Sequence, residues 1–316
     1  MLQRESRKCC VIGGAGFIGA HVTRMLAESG RDVTVLGRRG RSDVSLPADV
    51  RYVSCDYGSR DVLREILASV DEVIALAYAT VPQTSFADPV FDILSNLPAS
   101  VGLLQVAAAE GVNKLVIVSS GGTVYGVAES LPIGEDHPTN PISPYGITKL
   151  TLEKYAEMFR IAYDLPVVVV RPGNAYGEEQ RPFAGQGFVA TAMHAILQGR
   201  EISVFGTEGS IRDYLHVTDV ARGIIAALEH GQSVHAYNVG SGVGRSNLEV
   251  LREIEPHAAR AGHVLQVRAC AARRFDVPVN VLASSKLQTV SGWRPAISFT
   301  SGIEQVWQAV LRNHRG

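Results

Sequence analysis

The stretch "CCVIGGAGFIGAHV" (residues 9–22) limits the possible folds of this chain more than any other part of it. Four apolar residues run into a glycine-rich turn, and the turn opens an amphipathic stretch over 17–29. That order spells a strand, a tight turn and a helix. The glycines satisfy both GxxGxxG (Gly13, Gly16, Gly19) and GxGxxG (Gly14, Gly16, Gly19). Side chains at the early glycines would hold a pyrophosphate away from the helix N-terminus, whose unpaired N–H groups can bind it. With its strand before and its helix after, the motif reads as a dinucleotide cradle rather than an accidental turn.

The alternation of strand and helix then repeats along the chain. "DVTVLG", "VRYVSCD", "EVIALAY", "KLVIVSS" and "PVVVVRP" are short apolar runs, and helical stretches are expected near 59–69, 90–110 and 144–162. Short strands between helices of this length form a parallel sheet covered on both faces, and right-handed crossovers make it doubly wound. After residue 173 the alternation loosens, leaving helices at 188–198 and 218–230, a strand at "HAYNVG" and a closing helix from Thr300 or Ser301. The expected class is therefore α/β, with a Rossmann dinucleotide-binding domain over 1–175 and a smaller, mixed domain over 176–316. The second is mainly substrate-binding, with segments around 213–243 returning to the first.

Charge removes some alternatives. Thirty Lys and Arg stand against 31 Asp and Glu, a net charge of -1. That balance carries no electrostatic footprint for nucleic acid or an anionic membrane. No apolar run is expected to reach spanning length, and "MLQRESRK" is polar, so a cytoplasmic location is expected. Cys9, Cys10, Cys55 and Cys270 lack metal-ligand spacing; they are expected to be free thiols in a reducing compartment, and no metal site is expected.

The end of the second strand bears on the cofactor. An acidic residue there would take the adenosine ribose hydroxyls and favour NAD, but the chain has Gly37, Arg38 and Arg39. Arginine can pair with the 2′-phosphate of NADP, or "RRGR" can be a solvated loop. Asp56 can bond the adenine amino group or cap the helix after it.

"PISPYGITKL" places Tyr145 and Lys149 four residues apart behind Pro144, a helix-entry residue, so both project from one face. An ammonium there can stabilise a tyrosinate and reach the nicotinamide ribose, while the tyrosine moves a proton to or from an alcohol. Alone, Tyr-x-x-x-Lys is ordinary helix-surface grammar. After the glycine motif and the strand end "SSGGTVYG" (119–126), it becomes a reacting centre.

These motifs, with Asn96, "RPGNAYG" (171–177), "VFGTEGSIRDYLHVTDVA" (204–221), "YNVGSG" (237–242) and "RRFDVP" (273–278), are similar to those of the extended short-chain dehydrogenase/reductase family over nearly the whole chain. The resemblance is closest to its NAD-dependent epimerase/dehydratase branch, the UDP-glucose 4-epimerase-like nucleotide-sugar enzymes. It implies an NDP-sugar substrate, UDP-linked for preference, and a homodimer built through two helices per subunit. It also implies Tyr145 and Lys149 as the catalytic pair, with Asn174, Arg212 and Arg273 on the diphosphate. Phe17 and Ile18 are expected beside the glycine turn, and Tyr57, Leu76, Ala77, Asn96, Ser119 and Pro172 at later strand ends along the dinucleotide. Tyr78 and Thr80 are expected at the sugar, and Phe188 and Val189 at the nucleotide end.

The chain departs from the family pattern at one position. Four residues before the tyrosine of "VYG" the family carries Ser or Thr, to hold the reacting hydroxyl, and here stands Gly121. In an extended stretch residues 121 and 123 point the same way, so either Thr123 takes over, supported by Ser119 and Ser120, or a water fills the space beside Gly121. The Asp–Glu pair of the dehydratases is replaced by Gly122 and Thr123. That leaves a 4-epimerase working through a 4-keto sugar, or an NADPH-dependent 4-ketoreductase. A non-catalytic dinucleotide sensor is the reading from another class.

Overall fold

The computed structural model describes residues 6–42, 44–233, 235–272 and 277–315. Arg273, expected at the substrate, lies outside them. The first half runs β1 (Lys8–Ile12), α1 (Phe17–Glu28), β2 (Asp32–Gly37), β3 (Arg51–Ser54), α2 (Arg60–Leu67), β4 (Glu72–Ala75), α3 (Pro82–Ala87), α4 (Pro89–Ala109), β5 (Lys114–Val118), α5 (Pro144–Tyr163) and β6 (Val167–Pro172). The second runs β7 (Asn174–Tyr176), α6 (Phe188–Leu197), β8 (Ile202–Phe205), β9 (Ile211–His216), α7 (Val217–His230), β10 (Ala236–Val239), β11 (Gly244–Arg245), α8 (Asn247–Arg260), β12 (Val267–Cys270), β13 (Val279–Asn280), α9 (Ser285–Ser291) and α10 (Phe299–Arg315).

One parallel sheet has the order β10-β6-β5-β4-β1-β2-β3. Its central strands read as apolar runs because both faces are buried, and side-chain alternation divides each run between two cores, whereas the edge strand β3 (RYVS) is exposed at both ends. Cys9, Val11, Val33, Val35, Val116 and Val168 face α1 and α7 through Leu26, Val220 and Ile224. Cys10, Ile12, Leu36, Val73, Leu115 and Ile117 face α2, α4 and α5 through Leu63, Leu104 and Phe159. All four cysteines are free, and burial pushes the Cys10 thiol up to about 12.

The smaller part holds a mixed sheet, in which β9 pairs parallel with β7 and β13 and antiparallel with β11, and a parallel β8–β12 pair. Its core is closed by α6, α8 and α10 around Val189, Met193, Ile254 and Trp307. The reversal of strand order between β1 and β4 opens a crevice at the strands' C-terminal ends, the usual ligand site of such sheets.

One expectation needs correction. Helix α4, at 21 residues, is long and apolar enough by length and composition to cross a membrane. In this fold it lies against α2 and α5, with Asp92 and Asn96 on its buried face.

Candidate active site

The crevice is a cavity of about 880 Å³ that begins at the β1–α1 turn. A Cβ at Gly19 would collide with the Gly13 carbonyl oxygen and meet Gly14 Cα at 2.8 Å. The turn can therefore fold this tightly only without that side chain. Gly16 caps α1 without any side-chain bond to the helix, so the first-turn N–H groups at Phe17, Ile18 and Gly19 remain available beside the cavity. A dinucleotide pyrophosphate fits that cradle. Leu76, Val118, Ser119 and Pro172, from the ends of β4, β5 and β6, continue the wall. Ala77 packs its backbone on the turn, its N–H donating to the Ile12 carbonyl at 3.0 Å.

Other residues expected at the cofactor lie outside this lining. Arg38 and Arg39 follow β2, and Asp56 and Tyr57 follow β3, on the same edge of the sheet. A Cβ at Gly37 would run into the Tyr52 hydroxyl, which donates to the Arg39 carbonyl at 2.9 Å. A side chain at the end of β2 would have to displace that hydroxyl. Asp56 accepts from the Gly58 N–H at 3.0 Å, as a turn-capping residue does. Asn96 is fully buried; its Oδ1 accepts from Ala79 N–H at 2.7 Å, so it orders backbone behind the cavity.

At the middle of the cavity, Lys149 and Tyr145 face it from the first turns of α5, which Ser143 caps. The Lys149 ammonium donates to the Val118 carbonyl at 2.9 Å and sits 3.8 Å from the centre of the Tyr78 ring. It is 5.7 Å from the centre of the Tyr145 ring, which meets Tyr78 edge-on at 5.0 Å. Burial pushes Lys149 down to about 7, against the opposing pull of Glu153 and Asp92. Burial, and then the Asp92 charge, push Tyr145 up.

The segment after β5 is a turn, not an extended strand: Thr123 and Val124 N–H both donate back to the Ser120 carbonyl, at 3.4 and 3.2 Å. This corrects the expectation that residues 121 and 123 share a face. In a helical turn residues three apart do so, and Ser120 and Thr123 both line the cavity. Gly121 faces away, where a Cβ would meet Leu282 Cδ1 at 2.5 Å and the Arg171 carbonyl oxygen at 2.9 Å. Thr123 Oγ1 is buried without a hydrogen-bond partner, whereas the Ser119 hydroxyl is committed to Glu153.

Asn174, Phe188, Val189 and Arg212 line the far end, as expected from the sequence. Strand alternation turns Asp213 to the other side of β9, where Ser241, Gly242 and Leu282 donate to its carboxylate. Tyr78 and Thr80 stand on the wall, but the Thr80 hydroxyl donates to Asp92 rather than into the cavity. The sequence reading missed Ser203, Phe205, Ser210, Tyr214 and Asn247, which finish the far end from separate strands and loops. It also missed Asp92, Glu153 and Arg171 behind the reacting centre. Of these, Glu153 had a signal, since it lies one helical turn beyond Lys149 on the same face.

Known proteins share this arrangement. The NAD dependent epimerase/dehydratase family profile matches residues 9–240. A UDP-glucose 4-epimerase of Mycolicibacterium smegmatis is 34% identical over 303 residues, 93% of this chain and 95% of its own length. The structure of a Thermotoga maritima UDP-glucose 4-epimerase with UDP-glucose superposes with a TM-score of 0.91 at 30% identity, covering 97% of this chain and 99% of that one. A Thermus thermophilus UDP-glucose 4-epimerase in complex with NAD gives 0.88 at 32% identity, covering 96% and 98%. With the family matched over most of its length and the parallel sheet, glycine cradle and buried Tyr–Lys pair in place, the chain belongs to the NAD-dependent epimerase/dehydratase family of nucleotide-sugar enzymes.

Proposed function

We propose that the protein is an NDP-hexose 4-epimerase acting on a UDP-linked sugar with NAD as its cofactor. The observation that carries this reading is the single cavity joining the glycine turn, the Tyr145–Lys149 pair and the Asn174–Arg212 end. Its lining runs from the glycine turn past the Tyr–Lys pair to Arg212, so a dinucleotide and a sugar nucleotide would meet at that pair. Relatives named as UDP-glucose 4-epimerases, one holding UDP-glucose and another NAD, support the choice of substrate and cofactor.

In this reading Asn174 and Arg212 hold the diphosphate, a guanidinium fork suiting its oxygens, and Phe188 and Val189 wall the nucleotide. Tyr78 and Thr80 form the side of the sugar pocket. Ser120 and Thr123 direct hydroxyls at the sugar O4, the first from an open face and the second with a hydrogen bond to spare. The Lys149 ammonium stabilises Tyr145 as the phenolate, which takes the O4 proton and becomes the neutral phenol. Bound nicotinamide supplies the acceptor, and then the donor, of one hydride at C4. Between these events the 4-keto sugar turns its other face, and Tyr145 returns the proton. Gly122 and Thr123, in place of an acidic pair, disfavour water loss. The exposed apolar residues of α4 (Phe91, Leu94) and α5 (Ile147, Met158, Ile161) are the surface through which two copies would pair.

A second reading, an NADPH-dependent 4-ketoreductase, has one observation in its favour: β2 ends in Gly37 rather than an acid, and Arg38 and Arg39 follow. Denaturing protein purified without added cofactor, and identifying what it releases, separates the two. About one equivalent of NAD per chain supports the epimerase; empty protein, or bound NADP(H), favours the reductase.

A further inference from the structure

Four charged side chains are buried behind the reacting centre: Asp92, Lys149, Glu153 and Arg171, none more than 7% exposed. Together their charges cancel, but their partnerships are unequal. Glu153 is taken by Arg171, which grips it through Nε at 3.1 Å and Nη2 at 2.6 Å and also donates to the Tyr125 hydroxyl at 2.9 Å. Lys149 has only the neutral Val118 carbonyl and the face of Tyr78. Asp92, fully buried on α4, accepts from two hydroxyls, those of Thr80 and of Thr148 (2.6 Å for the latter). Its oxygens also meet the Asn96 amide at 3.5 Å, and among the described residues no guanidinium or ammonium bonds them. A charge buried that way is costly unless another charge nearby balances it. Thr148, the residue preceding Lys149, and Thr80, on the loop bearing Tyr78, tie Asp92 to both sides of the reacting centre.

We propose that Asp92 is a counter-ion of Lys149, a positioning carboxylate that keeps the ammonium charged beside Tyr145. This rests on the Tyr145–Lys149 reading given above. The groups around the pair are Tyr145 and Glu153 on α5, Tyr78 on the loop after β4 with Tyr57 beyond it, Arg171 on β6, and Tyr125 behind Arg171. Glu153, though gripped by Arg171, still pulls on Lys149, and Asp92 is the second anion that does so. Its charge also opposes ionisation of Tyr145 and Tyr78.

A double-mutant cycle read by thermal melting of the full chain at pH 6, where Lys149 holds its proton, tests this without any substrate. Lys149→Met strands the Asp92 carboxylate, so adding Asp92→Asn to it is expected to raise Tm. A double variant melting at or below Lys149→Met overturns the proposal, since a mere hydrogen-bonding strut can only lose by the change. This comparison needs no folded Asp92→Asn single variant. Where that variant folds, the pH profile of kcat gives a second reading. Loss of the anion makes both Tyr145 and Lys149 release protons more readily, so both limbs are expected to move to lower pH by about half a unit or more. Limbs that stay in place while kcat falls would leave Asp92 a structural residue. If Tyr145→Phe turns over sugar nucleotides normally, the functional reading fails while the melting cycle still reports on Asp92.

Discussion

Ser120 and Thr123 stand three residues apart on one turn, and that spacing decides which hydroxyls a bound sugar would meet. The sequence located the segment and the Tyr–Lys pair correctly relative to one another, but its geometry was misread. Assuming an extended chain put Gly121 in the cavity and made its missing hydroxyl look like a defect. The bonds back to the Ser120 carbonyl turn Gly121 toward Leu282 and Arg171 instead. No local pattern in "SSGGTVYG" shows that contact, because Leu282 is brought in from 161 residues beyond. Restoring a serine at 121 is therefore expected to harm the protein: Gly121→Ser should cost about 1–3 kcal/mol in urea unfolding, as overpacking does, and add no activity. By contrast Ser120→Ala and Thr123→Val should each lower kcat by roughly tenfold to a hundredfold with little change in Tm, as losing a hydrogen bond made in the transition state does. A Gly121→Ser variant that gains activity would show that the turn does not persist in solution.

At the scale of elements, legibility followed burial. The central strands of the parallel sheet were readable because they are largely apolar runs, and α1 and α5 because glycines or a proline mark their starts. The strands β7, β8, β9, β11, β12 and β13 were not read. They are short or charged, and they pair with partners far away in sequence. Helix α8 was missed despite a capping box between Ser246 and Glu249, with Pro256 inside it masking the periodicity. Helices α4 and α5 pack against each other yet leave Leu94 at 66% and Ile161 at 65% exposure. Large apolar residues grouped like this mark an association surface. Leu94→Glu with Ile161→Glu should convert a dimer to a monomer in sedimentation, leaving the far-UV spectrum unchanged. An unaltered sedimentation coefficient would assign that surface to something other than self-association.

For the whole molecule, the buried Lys149 makes stability depend on pH in a predictable direction. Its native proton is held only to about pH 7, while the unfolded chain keeps one on the same side chain up to the ordinary lysine value of 10.5. Between these limits the unfolded state binds more protons, so stability rises with pH. Above about pH 8.5 the rise is opposed, because the unfolded chain releases protons from Cys9 and Cys10 that burial retains in the native state. Tm should therefore increase from pH 7 to pH 8.5, and the increase should vanish in Lys149→Met. A flat profile in the wild-type protein would mean that Lys149 is not buried as described.

Epimerisation by this chain requires that one hydride leave C4 of a nucleotide sugar and return to the opposite face of the same molecule, with Tyr145 moving the proton. Incubating the enzyme with UDP-glucose deuterated at C4, in the presence of excess unlabelled NAD, follows that hydride itself. The expected product is UDP-galactose with deuterium kept at C4, and none is expected from Tyr145→Phe. Product that has lost the label, or that forms only when NADPH is supplied with a 4-keto sugar, would contradict the epimerase assignment.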